Sequence, residues 1–429
     1  MTAPEIYDVV GLGFGPANLA LAVALRENPV PLTARFFERQ PALGWHRDML
    51  VPSAKMQISF LKDLATFRNP TSRFSFISYL HARNRLARFV NKRDFFPTRQ
   101  EFHDYLEWAA AEFTDVVTYG AGVVGVRPPT GGTPIDRLSV EVRRNGVLSA
   151  VAARNVVLST GLVARMPPGV RRDERIWHSS EFLSRFAECD PATLKRVAVV
   201  GGGQSAAELV RFLYDQLPDS TVYAIVPSAG YAGADSTAFV NEIFDAGAVD
   251  EYYHGSPRAK EAILRYHGNT NYSAVDDDVI RDLYDRVYDD EVAGGRRLEF
   301  LSLFRLNAAE PVPAGARLTV HSLATEQSAD MVVDLVVCAT GYREMAVEEA
   351  LGDLEPYLIR DADGRLVVER DYRLSTTPAL RCGIYLQGGT ERSHGISSSL
   401  LSNLAIRGGD IVASLTATLN GADPKGTAS

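Results

Sequence analysis

The stretch "YDVVGLGFGPANLALAVAL" (residues 7–25) reads as a buried strand, a glycine-rich turn and a helix. Gly11, Gly13 and Gly15 permit positive φ and close backbone approach. The helix start after them offers unpaired N–H groups and a partial positive charge to a pyrophosphate. Pro16 stands where the third glycine of a GxGxxG fingerprint belongs. The stretch "KRVAVVGGGQSAAELVRFLYDQL" (195–217) repeats the plan, with Gly201 and Gly203 in the turn and Ala206 as the small third residue. One such fingerprint is weak evidence. Two in one chain, each after "VVG", point to two dinucleotide sites.

The second strands of the two units end differently. In the first, "TARFFERQ" ends its strand on Glu38, placed to accept from a ribose 2′-OH. In the second, "STVYAIVPSAG" (220–230) ends on Val226 and Pro227, with no acid. An acid would repel a 2′-phosphate, so its absence is compatible with NADP(H). A third strand-like element, "VVDLVVCATGY" (332–342), is expected to return the chain to the first sheet. The fold class is therefore α/β, with two Rossmann-like dinucleotide-binding domains, the second inserted into the first. The expected bounds are 1–165 and 332–420 for the first domain and 166–331 for the second. A substrate-binding segment is expected over about 231–290, and a disordered tail over 421–429. Two nucleotide sites imply a resident flavin and a nicotinamide cofactor that delivers hydride to it.

Composition narrows the partners. The chain has 429 residues, a net charge of −8 and an apolar fraction of 46%. That supplies an ample core but no basic excess to neutralise nucleic-acid phosphates. The locally basic "RNRLARFVNKRDFFPTR" (83–99) reads as a solvated helix face or subunit contact. Cys189, Cys338 and Cys382 form no CxxC, so neither a disulfide framework nor a zinc site is expected, and no metal. There is no signal-like N-terminus and no run of about 18 apolar residues, so a cytoplasmic protein without a membrane span is expected.

The segment "MQISFLKDLATFRNPT" (56–71) is too apolar for a surface loop, yet Gln57, Lys62, Asp63 and Arg68 fit no single amphipathic face. Read from residues alone, Lys62 is equally a pocket cation or half of a Lys62–Asp63 surface pair. Together with "DVVGLGFGPANLALA", "FFPTRQEFHDYLEWAA", "GGGQSAAE", "FVNEIF", "TNYS", "DLVVCATGY" and "HGISSSLLSNLAIR", it resembles the N-hydroxylating flavin monooxygenases of siderophore biosynthesis. These are the L-ornithine and L-lysine N-monooxygenases, and the wording is closer to the ornithine branch.

The resemblance implies FAD and NADPH as cofactors, dioxygen as co-substrate and a homo-oligomer, often a tetramer in this family. It implies hydroxylation of the terminal amine of L-ornithine through a flavin hydroperoxide, with L-lysine or a diamine as the alternative. Gln57 would lie at the reactive edge of the flavin, and Lys62 would pair with the substrate carboxylate. Asn241 and Asn271 would hold the substrate's polar groups, and Asn271 and Tyr272 would lie near the nicotinamide nucleotide. Gln204 and Ser205 would touch that nucleotide as well. Leu401 and Ser402 would sit near flavin and substrate, and Trp45 and His46 beside the flavin; His46 alone reads as a structural histidine. Gln57, Asn271 and Ser402 are the candidate catalytic positions. The chain departs from the family at Pro227, where many members carry an arginine that holds the nucleotide's adenine-ribose end. It departs again at Ser398, where an Asp is common, and at Cys338.

Overall fold

The computed structural model of the chain describes residues 6–52, 54–129, 132–235, 237–268 and 273–419. Asn271, Tyr272 and the tail 421–429 lie outside the described residues.

The first fingerprint folds as strand, turn and helix, but its register corrects the reading: Gly13 and Gly15 take the places that Gly201 and Gly203 take in the second, so the third position falls to Asn18 and not to Pro16. Strand β1 (Ile6–Leu12) runs into helix α1 (Pro16–Arg26), and β2 (Ala34–Glu38) lies parallel to β1. Pro16 fits the first helical turn, where the N–H it lacks would be unpaired anyway. Helix α2 (Arg99–Ala110) is capped by the Thr98 hydroxyl, which accepts from Glu101 N at 3.1 Å. Strands β3 (Val117–Tyr119), β4 (Ala121–Arg127), β5 (Leu138–Arg144) and β6 (Val147–Leu158) complete most of the sheet in the order β3-β2-β1-β6-β5-β4. Two apolar clusters cover its faces: one built on α1 and the 60–113 region, the other on the inner residues of β4–β6.

The second unit has its own five-stranded sheet. It holds β7 (Ile176–His178), β8 (Arg196–Val200), β9 (Thr221–Val226), β10 (Leu298–Ser302) and β11 (Leu335–Cys338), all parallel, in the order β10-β9-β8-β11-β7. Helices α3 (Gln204–Gln216), α4 (Ala246–His254) and α5 (Asp277–Val292) belong to this half of the chain. An antiparallel meander (304–333) precedes β11.

The placement of β11 corrects the sequence reading. The strand within 332–342 does not return to the first sheet but lies between β8 and β7. The Asp334 carboxylate accepts from Lys195 N and Arg196 N, both at 2.7 Å, which fixes β11 beside β8. The return is made later by β12 (Gly383–Leu386), parallel to the C-terminal half of β6. Helix α6 (Leu404–Leu419) then packs on α1. Two short strands, Leu162–Ala164 leaving the first unit and Tyr342–Glu344 coming back, pair antiparallel with Val163 opposite Arg343.

Candidate active site: two nucleotide cradles and a cleft between them

At the first cradle Gly13 has φ +86° and Gly201, its counterpart in the second, has φ +151°. A Cβ on Gly13 would strike the Ser159 carbonyl oxygen, and one on Gly201 the Ala339 carbonyl oxygen. A Cβ on Gly11 would overlap the Phe36 ring. Gly15 and Gly203 are the N-caps of α1 and α3, and neither helix start has a side-chain cap. Both helix starts therefore keep N–H groups for an incoming anion. Around Gly15 a Cβ would meet nothing within 4 Å, so the space in front of this turn is open. These features fit a pyrophosphate at each turn.

Glu38 is buried at the end of β2. Its Oε2 accepts from Phe14 N and its Oε1 from Gln40 N, both at 2.8 Å. The acid thus shapes the glycine turn itself. Each carboxylate oxygen keeps a second lone pair, so a ribose hydroxyl remains within its capacity. Asn18 donates to the Gly13 carbonyl at 2.7 Å, and its own Oδ1 accepts from Gln387 Nε2 at 2.8 Å. Gln387 Oε1 in turn accepts from Arg407 Nε at 3.4 Å. Arg407 is buried on α6 and donates to the Ser398 carbonyl. Ser398 Oγ, Ser402 Oγ and Asn403 Nδ2, on the turns before α6, are buried without a hydrogen-bond partner among the described residues. Such groups are costly unless a ligand completes them, which fits a polar ring system arriving beside Leu401 and Ser402.

Trp45, His46 and Tyr342 stand in a row of ring contacts. The Trp45 and His46 rings meet edge-on with centroids 5.1 Å apart, and His46 meets Tyr342 at 5.8 Å. The His46 side chain is itself exposed. Desolvation by the protein packed near it, helped by the positive charge of Arg99, lowers its pKa to about 4, so the ring is neutral at pH 7.

The segment 56–71 forms neither helix nor strand, which is why its polar residues obey no periodicity. It is tied down by other means. Met56 N donates to the Pro97 carbonyl at 2.8 Å and Phe60 N to the Phe95 carbonyl at 2.9 Å. Asp63 is buried and accepts from Ala65 N, Thr66 N, Thr66 Oγ1 and Phe76 N at 2.6–2.9 Å. Burial nonetheless raises its pKa, the four hydrogen bonds offsetting part of the cost. Asp63 is therefore an internal staple. The surface Lys62–Asp63 pair is not formed. Lys62 instead pairs with Asp245 at 3.4 Å.

Gln57 donates to Asp276 Oδ1 at 3.0 Å, and Gln204 donates to Asp276 Oδ2 at 2.9 Å. Gln204 also donates to Glu208 Oε1 at 2.9 Å and accepts from Asp276 N at 2.8 Å. Glu208 is buried against Arg99 at 2.7 Å. One connected network thus runs from Gln57, in the first unit, through Asp276 to the start of the second nucleotide helix. Burial raises the Asp276 and Glu208 pKa values, in both cases against the pull of Arg99. Both Gln204 amide protons are engaged in this network, while its Oε1 keeps one lone pair for a further donor. Ser205, next along α3, is half-buried. Asn241 closes the short helix Ala238–Asn241 and is exposed.

Sequence reading missed Asp276, Asp245, Glu208 and Arg99. The two aspartates each precede a helix, so both look like ordinary N-caps. Among the described residues no group of three or more His, Cys, Asp or Glu side chains could hold a metal ion. No helix among them is long and apolar enough to cross a membrane.

The family model of L-lysine 6-monooxygenase/L-ornithine 5-monooxygenase matches residues 5–344. The chain belongs to this family. Within it, the chain is 40% identical to the L-ornithine N(5)-monooxygenase of Burkholderia cepacia, over 92% of this chain and 91% of the relative. It is 36% identical to that of Pseudomonas aeruginosa, over 96% and 94%. Among solved structures, the ornithine N-hydroxylase of Kutzneria sp. 744, determined with reduced FAD, NADP+ and L-ornithine, superposes with a TM-score of 0.94 at 59% identity, covering 96% of this chain and 99% of that one. Family membership accounts for both glycine cradles in one chain and for a nucleotide fold without a redox dithiol. A disulfide reductase, which shares the two-nucleotide plan, is thereby set aside.

Proposed function

We propose that the chain N-hydroxylates the side-chain amine of L-ornithine with FAD and NADPH, for a siderophore or other hydroxamate product. The observation that carries this reading is the 59% identity, over nearly the whole chain, to an ornithine N-hydroxylase solved with those three molecules. FAD, reduced by NADPH, would supply the activated oxygen. The first cradle, with Glu38, Trp45, His46 and the turn at Leu401 and Ser402, would hold FAD. The second, with Gly201, Gly203 and Ser205, would hold NADPH, and Asn271 and Tyr272 are assigned beside it by resemblance.

The protein's own task is positional and electrostatic. Gln57 and Ser402 orient the reacting groups, and Lys62, Asn241 and Asn271 hold the amino-acid end. A lysine-like amine titrates near 10.4, so presenting it uncharged at pH 7 costs about 4–5 kcal/mol. Neutral His46 adds no charge near the flavin end, and a dry cleft lowers that cost. The test is hydroxylamine formation from ornithine, lysine, putrescine and cadaverine with NADPH and air. Ornithine should give the highest kcat/KM. Peroxide without any N–OH product from all four amines would end the reading. Ornithine and lysine differ by one methylene, which a pocket discriminates by only about 1–3 kcal/mol.

We also infer self-association. On α5, Tyr284, Tyr288 and Val292 recur at four-residue spacing and are 72%, 61% and 71% exposed. That apolar stripe suits a second copy of the chain. Sedimentation should show an oligomer that Tyr288→Glu weakens; a monomer in both would exclude it. A cytoplasmic location fits free cysteines of which two are buried.

A further inference from the structure

We infer that Asp245 receives the α-ammonium of the substrate, so that Lys62 and Asp245 together form a paired site for a zwitterionic head group. This rests on the proposed function, in which Lys62 takes the substrate carboxylate.

Asp245 is the N-cap of α4, in the extended backbone conformation that capping requires, yet its side chain caps nothing. A capping carboxylate is worth on the order of 1 kcal/mol to a helix. Here it is turned away to meet Lys62 Nζ at 3.4 Å. Lys62 is largely covered, its side chain 19% exposed, whereas Asp245 is 54% exposed. The neighbouring acid, Asp63, cannot serve Lys62, because its two oxygens are occupied by four donors from its own loop and from Phe76. Among the described residues, the ion-pair partner of Lys62 is Asp245.

An α-amino acid carries an ammonium and a carboxylate one carbon apart. A lysine beside an aspartate presents the same two charges in opposite order. When the pair opens to admit the head group, each charge meets its opposite and four charges alternate. No ion is left uncompensated in a half-covered site, before or after binding. A diamine brings a second cation and no anion, so it would be repelled by Lys62. A carboxylate-bearing amine without the α-ammonium would have to compete with Asp245 for Lys62. The pair therefore selects α-amino acids from both neighbouring substrate classes.

The experiment compares wild type, Asp245→Asn and Asp245→Glu, each loaded with FAD. It reads the KM for ornithine and the inhibition constant of 5-aminopentanoate, which keeps the carboxylate and terminal amine but lacks the α-ammonium. In Asp245→Asn the ornithine KM should rise roughly tenfold, the loss of one charge-assisted hydrogen bond. The inhibition constant of 5-aminopentanoate should hold or fall, since nothing competes with it for Lys62. Asp245→Glu should recover most of the ornithine affinity. An ornithine KM that holds or falls in Asp245→Asn would show Asp245 to be only a competitor for Lys62, and would overturn the proposal. So would equal weakening of both ligands, which marks a structural role. Wild-type protein that forms no hydroxylamine from ornithine would instead remove the substrate reading, and this inference with it.

Discussion

At the scale of single residues, the site is built from side chains diverted from their local roles. Asp276 is the N-cap of α5 and, like Asp245, does not cap it; its oxygens go to Gln57 and Gln204. Such residues are invisible to local pattern, because an Asp before a helix already has a sufficient explanation. The glycines are the reverse case. Gly13 was legible because its left-handed φ and the carbonyl pressed against it leave no other residue type. Gly13→Val should yield protein without the flavin absorbance band, and a normal band would refute the first cradle. Lys62→Ala should raise the ornithine KM by tenfold or more while NADPH oxidation persists; an unchanged KM would remove Lys62 from the substrate site. Pro227 comes directly after β9, beside Gly202, where a Cβ on the glycine would touch it. Pro227→Arg should lower the KM for NADPH more than that for NADH, because a guanidinium there can pair with the 2′-phosphate. Equal effects on both cofactors would place the position away from that phosphate.

At the scale of elements, two buried charges hold structure together. Arg99, in the first turn of α2, reaches Glu208 on α3 with 13% and 1% of the two side chains exposed. Arg99→Met should cost about 3–5 kcal/mol in denaturant unfolding, since Glu208 is left buried and unpaired. Adding Glu208→Leu should restore much of that loss. His394 stacks on Tyr372 at 4.2 Å, and its Nε2 lies 3.1 Å from the Arg370 carbonyl oxygen. Burial, aided by the charges of Arg370 and Arg407, depresses its pKa from 6.5 to about 4. The unfolded chain therefore binds a proton that the folded chain refuses between those values. His394 contributes its stability above about pH 6.5 and loses it as pH falls towards 4, at about 1.4 kcal/mol per unit. His394→Gln should flatten that part of the stability curve; an identical slope would show that His394 does not carry it.

At the scale of the whole molecule, both Rossmann-like units were legible, because each announces itself by strand, glycine turn and helix within some twenty residues. The seam between them was not. A fully buried run such as that of β11 says that it is a strand, but not which sheet receives it. That choice is made by the distant Asp334 contacts to Lys195 and Arg196. The irregular segment 56–71 escaped for a related reason. Its order comes from Asp63 and from partners some thirty-five to forty residues onward, not from any repeat within it.

The antiparallel pairing of Leu162–Ala164 with Tyr342–Glu344 has one more consequence. Strands so paired are about 5 Å apart, so the polypeptide enters and leaves the inserted half through a single doorway. The intervening stretch is then topologically a cassette. It could be cut out and replaced by a short turn, or exchanged for that of a relative, without rerouting the remaining chain.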